Sequence, residues 1–516
     1  MRTFSLSTGA ILLGSLLVPA AFAQETNQAD LRQPSAVRQT AFEYDNYLYF
    51  APDQGKAGAA DTKAPPSPNA TAAPADVKKD EGKKEEEKKD EPAAEAPKDE
   101  GWKLPQPCCL KEHGWTVGGW LEAGMTFNGA YPSDGYNSPV GFNDLNQQPQ
   151  VDQIYLSINK AVDTKGCGID YGGSLDLMYG TDSRFVQASG LEVPGNPTFT
   201  PPAGGTLPAN FAYDYSPYRF AIPQAYFDVG INNLTIRTGH MVTNLGAETI
   251  NPTTNFFYSH SYTFLYGIPF THTGMMFTYK CNDQLTVMSG IQTGNNRFDY
   301  SPFDLYPGTN VPGAVPGGYE HMGYLGGVTW TGPCKKLNVN FQISITDDTV
   351  NATTGLDNSE VNFTLITTYN VTDKLTYTNE WTYGNFSDPV LGASTWYGFN
   401  QYLKYQLNDK WSAGLRAEWF RDNNGEVVTN SEPFSANSMA NGFTPVFFAG
   451  NFYEVTAGLN WKPNANFTLR PEVRWDWSDA GATVPVVGAA PKTILPFNGG
   501  TTGDQFLFAV DAIFTY

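Results

Sequence analysis

Two groups of residues in this sequence are placed to do electrostatic work. In the first, charge alternates with apolar bulk. Between positions 467 and 477, Thr468, Arg470, Glu472, Arg474 and Asp476 share one parity, and Phe467, Leu469, Pro471, Val473, Trp475 and Trp477 share the other. Positions 411 to 421 repeat the pattern, with Ser412, Gly414, Arg416 and Glu418 against Trp411, Ala413, Leu415, Ala417 and Trp419. Successive side chains of a β-strand point to opposite faces, so each run sends its guanidinium and carboxylate groups to one surface. The second group is the turn-rich stretch 243–271, which carries Glu248, Phe256, Phe257, Tyr258, His260 and Tyr262. If such a stretch faced Arg416, Arg470 and Arg474, with Glu418 and Glu472 between them, the opposed charges would set up a transverse field that orients polar solutes. The competing expectation is that the aromatic stretch packs elsewhere and that the arginines sit in a wet, salt-bridged wall.

Catalytic signatures are missing. The sequence contains no G-x-S-x-G, no phosphate-binding Gly-rich loop and no H-E-x-x-H. Its five histidines are scattered, and His240, His260 and His272, which flank one loop near Glu248, read best as ordinary loop residues. No Cys/His spacing suits a metal. The expectation is a protein without enzymatic activity, metal or cofactor, and without a nucleic-acid partner.

What must position these residues is a set of strands. The chain ends DQFLFAVDAIFTY, in which Phe506, Phe508, Val510, Ala512, Phe514 and Tyr516 form one continuous apolar face. A soluble fold rarely leaves such a strand at an open edge. A membrane barrel closes it against the first strand and turns the apolar face to lipid. Tight turns such as Asn232-Asn233, Thr372-Asp373-Lys374 and Asn408-Asp409-Lys410 alternate with longer Pro/Gly/Ser-rich loops, among them 129–150, 181–218, 243–271, 295–319, 422–451 and 478–503. The count is about sixteen strands, from 114–128 to 504–516. Runs 375–384, 411–421 and 467–477 place Trp and Tyr near strand ends, which suits a membrane interface. The expected fold is all-β, a transmembrane antiparallel β-barrel over residues 114–516. A barrel of this size cannot be filled by its wall side chains alone and holds an aqueous lumen unless a loop or plug blocks it.

Composition agrees. Of 516 residues, 14% are aromatic and only 16% charged, with net charge -20. The excess acid in the body suggests a weak preference for cations. Residues 1–23 read as a cleaved signal peptide: Arg2, an apolar core, then Ala21-Phe22-Ala23. Residues 24–113 form an Ala/Pro-rich and then Lys/Glu-rich tail, expected to be disordered or partly helical on the periplasmic side. A cell-wall contact through this tail is one expectation, and a passive linker is the other.

The body resembles the bacterial β-barrel porin-2 family. The likeness rests on GWTVGGWLEAGMTFN (114–128), QAYFDVGINNLTIRTGHM (224–241), NFFYSHSYTFLYGIPFTHTGMMFTY (255–279) and the aromatic C-terminus. It implies a Gram-negative outer-membrane channel for passive diffusion of small polar solutes or ions, in contact with lipid. By analogy with sixteen-strand porins it implies an inward-folding third loop and a homotrimer. The other reading is a structural barrel that tethers the envelope without conducting. Cys108, Cys109, Cys167, Cys281 and Cys334 all map to the short-turn side, where an oxidising compartment permits disulfides. Cys281 with Cys334, and Cys167 with Cys108 or Cys109, are the candidate pairs.

Overall fold

The computed structural model describes residues 101–192, 217–298, 322–350, 357–388, 392–429, 446–484 and 490–516. The signal peptide, the tail up to residue 100 and parts of the loops 181–218, 295–319 and 422–451 lie outside these.

The strands are β1 (Thr116–Asn128), β2 (Gln150–Lys160), β3 (Ile169–Gly180), β4 (Arg219–Ile231), β5 (Leu234–Val242) and β6 (Thr271–Lys280). They continue with β7 (Leu285–Asn295), β8 (Gly323–Thr331), β9 (Leu337–Val350), β10 (Asp357–Asn370), β11 (Leu375–Asp388) and β12 (Gly392–Gln406). The last are β13 (Trp411–Asp422), β14 (Gly450–Trp461), β15 (Phe467–Ser478), the short β16 (Ala482–Val484) and β17 (Lys492–Ile494), and β18 (Asp504–Thr515). Among the described residues three short helices accompany them: α1 (Cys108–Glu112), α2 (Ser183–Val186) and α3 (Tyr262–Tyr266).

Sixteen strands close into one antiparallel barrel, each paired with its chain neighbour, except that β15 pairs directly with β18 because β16 and β17 form a separate hairpin in the last long loop. The closing pair is β1 with β18, in the register Leu121↔Phe514 and Phe127↔Phe508. The sequence-derived strand limits agree within a few residues. The larger differences are at β9–β10 and β11–β12, whose hairpins continue as ladder into 347–359 and 385–393.

Alternation decides which side faces lipid. On β18, Phe506, Phe508 and Phe514 are exposed, whereas Gln505, Asp511 and Ile513 are buried inward. On β15, Val473 and Trp475 are exposed and Arg470, Glu472, Arg474 and Asp476 are buried. Trp411 and Trp461 stack at the short-turn end at 5.9 Å. Tyr453 with Trp477 (5.3 Å) and Tyr397 with Trp419 (5.6 Å) mark the other end. These two belts fit the two interfaces of a membrane. At the Asn232-Asn233 turn Asn232 takes φ 54°, the left-handed geometry that a two-residue hairpin demands.

The segment before the barrel is not all free tail. Trp102 donates its main-chain N–H to Asn466 Oδ1 (2.6 Å) and accepts from Asn466 Nδ2 (2.6 Å), while its ring stacks on Phe514 at 6.2 Å. Gln106 exchanges two 2.7 Å hydrogen bonds with the main chain of Val117. This strap touches the turn before β15, then β18, then β1. It satisfies main-chain groups at the rim where β18 has run out. Docking therefore starts upstream of residue 114.

Candidate functional site

The inner wall over β13, β14, β15, β18 and β1 is a ladder of charge. Arg416 bonds to Glu454 on the neighbouring strand. Arg470 bonds to Asp511 (2.7 Å) and Glu122 (2.8 Å). Arg474 Nε donates to Asp476 at 2.8 Å. Arg416–Glu454 and Arg470–Asp511 bridge adjacent strands, Arg474–Asp476 joins same-face neighbours on one strand, and Arg470 reaches across β18 to Glu122 on β1.

The stretch between β5 and β6 folds onto this ladder. Glu248 takes Arg416 at 2.7 Å, Tyr402 Oη–H at 3.1 Å, the Ser261 amide at 3.0 Å and the His260 ring at 3.1 Å. The wall then reads the loop main chain. Arg416 donates to Ser259 O (2.6 Å), and Arg470 donates to Pro252 O (2.9 Å), Asn255 O (3.1 Å) and Phe257 O (3.0 Å). Glu472 accepts the amides of Tyr258 (2.9 Å) and Ser259 (3.0 Å). Glu418 accepts those of Tyr262 and Thr263, both at 2.6 Å, at the start of α3. Arginines thus bind loop carbonyls and glutamates bind loop amides. Buried main-chain groups need such partners, and here charged side chains supply them.

Three aromatics lock the fit. A Cβ at Gly414 would lie 2.3 Å from the Phe256 ring, one at Gly124 2.4 Å from Tyr258, and one at Gly458 3.2 Å from Phe257. Inward glycines on β13, β1 and β14 are the sockets for these rings. Tyr258 Oη also reaches Asp152 at 3.1 Å.

Charge states follow from this packing. Burial alone would raise the Glu248 carboxyl, but the Arg416 guanidinium and the His260 contact outweigh it and hold it well below the ordinary carboxylate range. Burial pushes the His260 imidazole down, so the neutral ring is favoured. It stacks on Phe264 at 4.2 Å.

All nine sequence-derived site residues, Glu248, Phe256, Phe257, Tyr258, Arg416, Glu418, Arg470, Glu472 and Arg474, come together and are buried. They meet in direct contact, not as two charged banks facing across a gap: Glu248 and Arg416 form one ion pair. The histidines do not cluster. His260 meets Glu248. His272 hydrogen-bonds Thr243 (2.8 Å) and Gln292, and His240 meets Thr273 (2.8 Å) on the face that carries Phe277.

The five cysteines, Cys108, Cys109, Cys167, Cys281 and Cys334, are free and exposed. Cys281 follows β6 and Cys334 precedes β9, so more than two strand intervals of ~4.8 Å separate them. That exceeds the ~7 Å Cα reach of a disulfide. Cys108 and Cys109 lie on α1 before β1, and Cys167 lies in the β2–β3 turn.

Two further loops enter the site unannounced by the sequence reading. Loop 129–149 brings in Phe142, which stacks on Phe185 of α2 at 4.5 Å, and Asp144 pairs with Arg184 at 2.7 Å. With Trp120, Tyr155, Leu245, Ile250, Phe264, Ile268, Phe270 and Ile513 they make an apolar cluster inside the barrel. The available signal was the presence of bulky apolar residues in loops otherwise rich in turn residues.

A barrel with lipid-facing aromatics, a polar inner wall and an inward third loop has the plan of a diffusion channel. The family model described as "Putative beta-barrel porin-2, OmpL-like" matches residues 114–516. The chain belongs to this porin family. It is therefore an outer-membrane porin, and the match begins where the sequence places the barrel. Among solved structures it is similar to the outer-membrane channel DcaP of Acinetobacter baumannii, with TM-score 0.43 and 11% identity over 78% of this chain and 97% of that one. It is also similar to an anion-selective porin from Comamonas acidovorans, with TM-score 0.47 and 11% identity over 78% and 99%. The third is OprB of Pseudomonas putida, with TM-score 0.44 and 11% identity over 79% and 95%. No curated protein matches the chain.

Proposed function

We propose that this porin carries small polar solutes by passive diffusion, without a catalytic step, through the part of the lumen that its third loop leaves open. The observation that carries the reading is the seating of residues 248–263 on inward-facing Arg416, Glu418, Arg470 and Glu472. A loop held by that many charge-assisted bonds is a fixed constriction rather than a waving flap. Glu248, Phe256, Phe257 and Tyr258 then set its width, and Arg474 supports it through His260 O. Below this level the inward residues Ser157, Thr278, Asn338, Thr368 and Thr468 are half-buried hydroxyls and amides, which suit a wet vestibule.

The test is planar-bilayer conductance of refolded protein, intact and with residues 249–262 replaced by a short Gly/Ser linker. Stepwise conductance that grows on replacement is expected. Silence from both proteins overturns the reading in favour of a non-conducting envelope tether. For that alternative, the strap is the favouring observation, because Trp102 and Gln106 are bonded to the barrel rim. Capture of cell-wall material by residues 24–113 would support the tether. The reading includes a homotrimer, testable by mass in detergent, and signal-peptide removal, testable by a mature N-terminus at Gln24.

A further inference from the structure

The inner wall opposite the charge ladder is built differently. Inward positions on β9 and β10 carry Asn340, Gln342, Ser344, Thr346, Glu360, Asn362 and Thr364. Next to them β11 and β12 bring Glu380 beside Asn400. Among the described residues, the inward faces of β8 to β11 contain no Lys or Arg.

On this wall the amide donors are consumed locally. Gln342 Nε2 donates to Asn340 Oδ1 at 2.6 Å, Asn362 Nδ2 donates to Glu360, and Asn400 Nδ2 donates to Tyr402 Oη at 2.7 Å. Those bonds fix which end of each amide is the oxygen. The oxygens left over, Gln342 Oε1, Asn362 Oδ1 and Asn400 Oδ1, are buried and have no donor, and neither has Thr346 Oγ1. A buried carbonyl oxygen without a donor costs free energy unless something satisfies it. These three carbonyl oxygens and one hydroxyl lie on β9, β10 and β12, and the Glu380 carboxylate of β11, whose Oε1 accepts the Ala247 N–H at 3.2 Å, stands directly opposite Asn400. The nearest inward cation, Lys404 on β12, lies over the Tyr402 ring at 5.7 Å, and the arginines of the other wall are all paired. Arg416 is consumed by Glu248 and Glu454, Arg470 by Asp511 and Glu122, and Arg474 by Asp476.

We propose that Thr346, Gln342 and Asn362 on β9–β10, with Glu380 and Asn400 on β11–β12, form a two-station subsite for monovalent cations, potassium or small ammonium ions. Side-chain carbonyls replace part of the ion's hydration shell, and the carboxylate supplies the charge. Two weak stations in sequence let an ion enter and leave, as conduction requires. The proposal rests on the channel reading above.

The experiment is the reversal potential of single channels under a KCl gradient, for wild type, Glu380→Gln and the double variant Gln342→Ala/Asn362→Ala. Glutamine keeps the shape of glutamate, and alanine removes volume, so neither variant narrows the path. Wild type should favour potassium over chloride. The ratio should fall at least threefold in Glu380→Gln and less in the double variant. A wild-type ratio at or below one overturns the subsite, even if a variant fails to fold. So do ratios unchanged in both variants. A wild-type protein that never conducts sinks the channel reading and the subsite with it, whereas conduction with unaltered selectivity sinks the subsite alone.

Discussion

The two sides of the lumen solve the same problem in opposite ways. The side made by β13, β14, β15, β18 and β1 carries three arginines, each within bonding distance of a carboxylate, and uses the remaining valences to hold a loop. The side made by β9 to β12 carries mostly amides and hydroxyls, takes the loop at the Gly246 and Ala247 amides, bonds its other groups largely to one another, and leaves oxygens without donors. A wall meant to grip needs strong, directional groups in neutral pairs. A wall meant to be passed needs groups whose bonds are weak enough to exchange. Buried ion pairs fix geometry at little net gain, but breaking one is costly. This is why the gripping side should respond sharply to mutation and the other side through selectivity.

The contrast can be broken most forcefully at Arg416. Arg416→Met strands Glu248 and Glu454 in the wall, a loss of about 3–5 kcal/mol by analogy with other broken buried pairs. We expect a lower unfolding temperature and larger, noisier single-channel conductance. A quiet channel of wild-type size would show that the loop is held elsewhere.

Gly414→Leu fills the socket of Phe256 without touching a charge. Overpacking of this kind costs about 1–3 kcal/mol. The expected outcome is a rise in conductance smaller than that from Arg416→Met, with selectivity nearly unchanged.

The strap tests whether seam stability is separate from the constriction. Trp102→Ala with Gln106→Ala removes one stacked ring and three hydrogen bonds, two with Val117 and one with Leu104, about 1–3 kcal/mol together. The temperature at which the barrel unfolds in detergent gels should drop by several degrees while conductance stays put. A conductance change would tie the rim to the loop.

The smallest effect is that of pH. The His260 imidazole is depressed in the fold, so its contribution to stability is present above the unfolded value of about 6.5 and is lost as pH falls below it. Glu248 is depressed as well, so its contribution is present above about 4.3 and is lost only in stronger acid. Loop opening, read as conductance, should therefore rise in two steps on acidification. His260→Gln should erase the first step and keep the second.

Much of this was legible in the chain. Two-residue alternation is local, and a strand shows its two faces in its own sequence. Arg470, Glu472 and Arg474 therefore announce an inner wall, and Phe506, Phe508 and Phe514 an outer one. Turn chemistry at Asn232-Asn233 gave the hairpins. The loops were less legible. Nothing in NFFYSH says that Phe256, Phe257 and Tyr258 will meet Gly414, Gly458 and Gly124, because those glycines stand between about 130 and 200 positions away. Loop 129–149 and α2 looked like outer connections, yet they carry Phe142 and Phe185 into the lumen.

The sequence alone determined the strand count, the two faces and the closing strand, because each depends on neighbours two residues apart. Tertiary structure decided the rest: which loop fills the lumen, which charges are neutralised, and which oxygens remain without donors. Those depend on groups brought together only when sixteen strands close into a ring, and no local pattern records that closure.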